Sequence, residues 1–248
     1  MSSAEFRLRC RAACLAAVAV IIPGIAPGFA HAAIVVASSG PSAGAYPVGK
    51  KLDDAGAVTL RADDAVTILD SRGTRVLKGA GTFAVSAGGK APAKASTFAV
   101  LTMQRSAQRV RTGAVRAGKG SLPPASPNLW FIDVASSGRR CLVAGKPVRL
   151  WRLATNVAAT YTVAPAAGGA GTSVVFPAGA MVAPWNVARL PVADGGKYTV
   201  SLGGKPVSTV EFALLPSQPA DAEGMAATLI DKGCTAQLTL LSTTLAQP

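Results

Sequence analysis

The chain is poor in the side chains that do most enzymatic chemistry. Its 248 residues include one histidine, His31, and four cysteines, Cys10, Cys14, Cys141 and Cys234. Aromatic residues make up 5% and charged residues 15%. Acidic side chains number 12 against 25 lysines and arginines, a formal net charge of +13. Beyond residue 32 there is no uninterrupted apolar run of the roughly 18 residues that a spanning helix needs.

The first 32 residues sharpen these absences. Arg7, Arg9 and Arg11 form a positive n-region, and Ala12 to Phe29 is an apolar stretch broken by Pro23, Gly24, Pro27 and Gly28. Ala30-His31-Ala32 is a small-x-small cleavage site, so a secretory signal peptide is expected and the mature chain should begin at Ala33. That cut removes the histidine and two cysteines. It leaves a mature excess of +11, because the leader carries three basic residues and one acidic. The expected location is the periplasm, with secretion as the alternative.

Without His31 neither a Ser–His–Asp nor a Cys–His set can form. No histidine-based zinc site can form either, and two thiols alone do not complete one. The mature chain has no S-x-x-K, which disfavours a Ser–Lys nucleophile. Asp53, Asp54, Asp63, Asp64 and Asp70 read as turn residues that cap their own backbone. They lack a D-x-D-x-D-G calcium loop, and the chain lacks the aromatic platforms of a glycosidase cleft. Gly-Gly-Lys at 88–90, 195–197 and 203–205 lacks the spacing of a phosphate loop. The expectation is therefore no catalytic residues, no metal and no cofactor. Cys141 and Cys234, an isolated pair in an oxidising compartment, should form a disulfide.

What is present is strand pattern. Ala33 to Ala37 is an apolar run ending at Ser39-Gly40-Pro41, and Val58 and Leu60, then Val66 and Ile68, alternate with polar neighbours. Asp63-Asp64 and Asp70-Ser71-Arg72-Gly73 read as turns, Thr74 to Leu77 as a strand, and Gly79 and Gly81 as a bulge or tight corner. This predicts a small barrel-like or folded-sheet module over 33–87.

The runs Tyr46-Pro47-Val48-Gly49-Lys50-Lys51-Leu52, Val58-Thr59-Leu60, Val66-Thr67-Ile68-Leu69 and Gly73 to Phe83 resemble a FecR-type periplasmic domain. The whole arrangement is similar to exported proteobacterial proteins. The resemblance covers about 50 residues. It implies a β-rich extracytoplasmic module that senses or contacts other envelope proteins. FecR regulators also carry a cytoplasmic anti-sigma region and a transmembrane helix; the expectation here is a chain with neither.

Residues 88–128 read as a connector. A helix capped by Ser96 should run to about Gln108, with Phe98, Leu101 and Met103 on its packed side. Arg105, Arg109, Arg111, Arg116 and Lys119 follow with no acidic residue among them, and Gly118 to Pro127 is a Gly/Ser/Pro-rich loop. This run is either an arm for an anionic partner or a solvated connector.

From Leu129 to 216 about eight short strands suggest an immunoglobulin-like β-sandwich. Asp194-Gly195-Gly196 and Gly203-Gly204 mark hairpin turns. Trp130, Trp151 and Trp185 read as core anchors. In the tail, 217–248, a helix start at Ser217 to Glu223 precedes a face of Met225, Ala226, Leu229 and Ile230, stopped by Lys232 and Gly233. Leu238, Leu241 and Leu245 fit a second helix, and Gln237 to Leu241 fits a final strand.

The sequence thus points to a mainly β, non-catalytic periplasmic or envelope protein that binds a partner, with a role accessory to envelope signalling included in that reading. The partner expected first is an envelope protein. A scaffold or adaptor for anionic envelope components, such as lipid headgroups or lipopolysaccharide, is one alternative. A hydrolase of unrecognised type is another. Nucleic acid is not an expected partner.

Overall fold

β1 (His31–Ser39) shows how the sequence builds the molecule. Its apolar run has no polar face because both faces are buried: Ala33 and Val35 point into one core, Ile34 and Val36 into another. The computed structural model describes residues 31–70, 73–86, 95–103 and 126–246; for 31, 32, 95 and 96 only the backbone is described. The protein is mainly β, with a short C-terminal helical region.

The N-terminal module contains β1, β2 (Lys51–Asp53), β3 (Ala57–Leu60), β4 (Ala65–Asp70), β5 (Gly73–Lys78) and β6 (Gly81–Ala84). A four-stranded sheet in the order β2-β1-β4-β5 forms a half-barrel, and the β3–β6 ribbon lies with it around Val58, Leu60, Val66, Ile68 and Val85. Register shifts in β1 at His31/Ala33 and Val35/Ala37 mark local irregularities where the sheet curves. The Asp63-Asp64 turn is a corner between the two sheets, because β3 pairs with β6 and not with β4. The expected signal-peptide cut falls inside β1, at the buried Ala33.

Helix α1 (Ala95–Thr102) is shorter than its pattern predicted. The carbonyls that would continue it are taken by the chain that returns at 128–130. Leu129 N donates to Leu101 O at 2.9 Å, Trp130 Nε1 to Thr102 O at 3.0 Å and Asn128 Nδ2 to Met103 O at 2.9 Å. Leu101 is buried as expected, whereas Met103 is 41% exposed.

The second module is a sandwich. Its strands are β7 (Phe131–Asp133), β8 (Gly138–Val143), β9 (Arg149–Trp151), β10 (Ala159–Pro165), β11 (Thr172–Phe176), β12 (Val182–Pro184), β13 (Lys197–Leu202) and β14 (Lys205–Leu215). A five-stranded sheet, β11-β10-β13-β14-β8, packs on a three-stranded sheet, β12-β9-β7. Two pairings, β14–β8 and β7–β9, are parallel. Gly203-Gly204 turns the β13–β14 hairpin with φ of 57° and 77°, values that glycine reaches without strain. Asp194-Gly195-Gly196 does not join paired strands, because β12 lies in the other sheet. Gly195 N instead bonds Phe212 O, and Asp194 Oδ1 accepts from Leu214 N.

Tyr161, Phe176, Trp185, Tyr198 and Phe212 form the aromatic centre of the sandwich. Trp185 meets Tyr198 edge-on at 5.2 Å and Phe212 at 5.7 Å. Trp185 Nε1 donates to Leu190 O and Tyr198 Oη to Pro191 O, so these polar tips are satisfied.

The tail forms α2 (Ala222–Asp231) and α3 (Thr235–Ala246); the strand alternative is excluded. Asp221, not Ser217, caps α2, accepting from Gly224 N at 2.7 Å. Met225, Ala226 and Leu229 are buried, and Ile230 is partly so. A third core joins α1, α2 and α3 to Ile34, Val36 and Leu69 of the first module and to Cys141, Val143 and Leu215 of the second. The helices are a shared layer between two β modules.

Candidate functional site

Two positions anchored by the helical layer carry the features singled out in the sequence. The first is the disulfide. Cys141 on β8 and Cys234 at the start of α3 are bonded, with their Cα atoms 5.8 Å apart, and both are fully buried. One turn further along α3, Gln237 is 4% exposed and treats Cys141 as a strand partner would. Gln237 Oε1 accepts from Cys141 N at 2.6 Å, and its Nε2 donates to Cys141 O at 2.8 Å and Leu129 O at 2.9 Å. The amide thus completes an edge strand that, among the described residues, has no β neighbour on that side. Sequence reading missed Gln237; its only signal was its place three residues after Cys234.

The second position is the 128–130 clamp on the end of α1. It fixes both described ends of the chain that flank 104–125. Arg105, Arg109, Arg111, Arg116 and Lys119 lie outside the described residues. Their charge is nevertheless informative beside the folded body. The described residues contain fourteen basic and eleven acidic side chains, a net of +3. The intervening segments 71–72, 87–94 and 104–125 contain eight basic side chains and no acidic one, five of the eight in 104–125. All eleven carboxylates beyond residue 32 therefore lie among the described residues, whereas eight of the basic side chains lie outside them.

Several of those carboxylates have structural partners. Asp64, 2% exposed, accepts from Ser42 N at 2.8 Å and Arg61 N at 2.5 Å. Burial pushes its carboxyl up, but the hydrogen bonds from Ser42 and Arg61 together with the Arg61 charge outweigh it and hold the group below its ordinary value. Asp70 accepts from Gly73 N and pairs with Arg75 at 3.4 Å. Asp53 ends β2 and Asp54 lies in the turn that follows, which Gly56 N closes on Asp53 O at 2.9 Å. Gly-Gly-Lys at 195–197 and 203–205 forms strand-entry and hairpin turns; the copy at 88–90 lies outside the described residues.

Two buried arginines serve the loops. Arg152, 3% exposed, donates to the carbonyls of Ala180, Val157 and Pro177 and lies 5.0 Å from the Phe176 ring centre. It ties the strand-to-strand connections together as an organised cation. Arg140 bonds Ser136 Oγ at 2.8 Å; burial lowers its guanidinium from the ordinary value, and Asp133 offsets part of that shift. Trp130, Trp151 and Trp185 are all core residues.

Two concavities are lined mainly by apolar groups. A groove of about 480 Å³ runs along Val143, Pro147, Val148, Trp185, Val192 and Leu214. A second, of about 360 Å³, lies against Phe98, Thr102, Met103, Asp221, Ala222 and Leu245. Lys146 is the single ionisable side chain lining the first, and Asp221, which caps α2, is the single one lining the second. Neither holds a nucleophile paired with a base. Among the described residues, no group of three or more His, Cys, Asp or Glu side chains is placed to hold a metal ion. Among them, too, no helix is long and apolar enough to cross a membrane. No known family model, curated protein or solved structure matches the chain.

Proposed function

We propose that this is a non-catalytic binding protein of the periplasm or cell envelope, and that its basic segment 104–125 makes contact with an anionic envelope component. The observation that carries this is the partition of charge. The described residues, nearly balanced in charge, hold every carboxylate beyond residue 32, while the segment between the clamped flanks at α1 and Trp130 carries five cations and no compensating acid. Such a segment is attracted to anionic headgroups at about 1 kcal/mol per cation near the membrane surface. The signal-peptide pattern supports an envelope location, and the resemblance of 46–83 to a FecR-type domain supports a module that meets other envelope proteins. A role accessory to envelope signalling is part of this proposal.

The test is binding of the mature protein to vesicles of phosphatidylethanolamine with and without phosphatidylglycerol, as salt is raised. Binding should require the anionic lipid and fall steeply with salt. Replacing Arg105, Arg109 and Arg111 with alanine should weaken it about a hundredfold, at roughly 1 kcal/mol each. Equal binding to neutral vesicles, or an affinity unchanged in the triple variant, would rule out this contact.

A further inference from the structure

The two sheets of the sandwich and the half-barrel differ in how their edges end. An exposed edge strand offers unpaired N–H and C=O groups to any other strand, and proteins blunt such edges with charge, proline, short length or a covering group. Nearly every described edge here is blunted. Cys141 on β8 is closed by Gln237, and Arg139 O accepts from the Arg140 guanidinium. Tyr46 Oη accepts from Thr59 N on β3, and the Arg75 guanidinium donates to Ala84 O at the end of β6. β5 carries Arg75 and Lys78 and packs against α3. β2, β7 and β12 are three residues long and contain, respectively, Lys51 with Asp53, Asp133, and Pro184.

β11 is the exception. It is the terminal strand of the five-stranded sheet, five residues long, with the sequence Thr-Ser-Val-Val-Phe. It has no charge and no proline, and it has no side-chain cap among the described residues. Thr172, Val174 and Phe176 face the core; Ser173 and Val175 face outward, Val175 being 59% exposed. Being uncharged, this strand can face a copy of itself without like-charge repulsion. An antiparallel copy related by a two-fold axis through Val174 sets Val174 opposite Val174, Ser173 opposite Val175 and Thr172 opposite Phe176. Inward residues then meet inward residues and outward meet outward, as a continuous sheet requires. A register shifted by one residue fails that condition.

We propose that β11 pairs with β11 of a second copy of this chain, joining two five-stranded sheets into one ten-stranded sheet across a two-fold axis. The contact is isologous, so it closes at two copies and does not propagate. Two five-residue strands give an interface at the small end of specific contacts, so the dimer should be weak and concentration-dependent. The inference does not depend on the basic segment or on the vesicle contact.

Sedimentation equilibrium of the mature protein, from micromolar to about 1 mM, is the first measurement. A monomer–dimer equilibrium is expected. Val175→Lys, at an exposed position, should weaken it at least tenfold by placing two ammonium groups on neighbouring diagonal positions across the axis. The double variant Ser173→Glu/Val175→Lys should recover dimerisation, because the introduced carboxylate of each copy then lies directly opposite the introduced ammonium of the other. In the unsubstituted protein, amide exchange in β11 should slow as concentration rises. That measurement keeps the question answerable if a variant misfolds. A chain that stays monomeric throughout, a dimer indifferent to Val175→Lys, or a double variant that does not recover would each overturn the pairing. Concentration-independent exchange at β11 would overturn it too, leaving that edge to a strand from a different protein.

Discussion

The two β modules solve the same burial problem with different materials. The core of the N-terminal module is Ala33, Val35, Leu52, Val58, Leu60, Val66, Ile68, Leu77 and Val85, with Tyr46 and Phe83 only partly buried beside it. The sandwich has five buried aromatic residues at its centre and an additional aliphatic shell. Aromatic side chains bury far more area each, so the sandwich holds more of its stability inside itself. The half-barrel depends on its second face. Ile34, Val36 and Leu69 on that face are covered by α2 and α3, which the disulfide fastens to the sandwich. Each module closes around a core of its own, and the helices at the far end of the chain cover a second face of both, Ile34, Val36 and Leu69 on one and Cys141, Val143 and Leu215 on the other.

Breaking the staple should separate the two most sharply. Reduction of Cys141–Cys234, or Cys141→Ser with Cys234→Ser, opens a loop of 93 residues. The cost is about 4–5 kcal/mol on the chain-entropy model. Thermal unfolding followed by near-ultraviolet circular dichroism, which reports the aromatic sandwich, should then separate from far-ultraviolet loss of the helices and half-barrel. Coincident transitions in the reduced protein would show that the two modules still unfold as one unit.

A smaller effect is expected at Gln237. Gln237→Leu keeps the volume but leaves Cys141 N, Cys141 O and Leu129 O without their partner. Denaturant unfolding should show a loss of about 1–3 kcal/mol. Gln237→Glu should lose more at neutral pH than in acid, since a carboxylate cannot donate to the two carbonyls. Equal stability of the leucine variant and the parent would remove the amide from the account of the docking.

The smallest effect belongs to the N-terminal module alone. The Asp64 carboxyl lies below its ordinary value of 3.8, so its stabilisation is present above that pH and is lost as pH falls through the lowered value. Asp64→Ala should therefore be less stable than the parent at neutral pH, with the gap closing below pH 3.8. Paired denaturant titrations across that range measure it, and a gap that persists into strong acid would place the effect in packing.

Much of the strand framework was legible from residues alone. The β10 to β14 strands follow from alternation punctuated by glycine, because a sandwich strand buries one face and leaves a period of two. The cysteine pairing was legible because Cys141 and Cys234 are the two cysteines beyond the leader pattern, and one pair allows one bond. The stop of α2 at Lys232 and Gly233 was legible too, but the sequence did not reveal where α1 stops or which edges close. The pattern of α1 continues past Thr102, but carbonyls at its end are claimed by Asn128, Leu129 and Trp130, more than twenty residues away. Nor could local pattern show that Asp194-Gly195-Gly196 feeds a strand in another sheet, since turn chemistry does not specify which strands pair.

By itself the sequence determined the β character, the leader pattern, the shortage of catalytic side chains and the separation of positive charge from carboxylates. These depend on composition and on periods of two to four residues. Tertiary structure decided that Gln237 would serve as a strand partner, that two helices would roof a half-barrel from the far end of the chain, and that β11 would be left as the unprotected edge. Each of these joins groups distant in sequence, and only packing brings such groups within hydrogen-bonding reach.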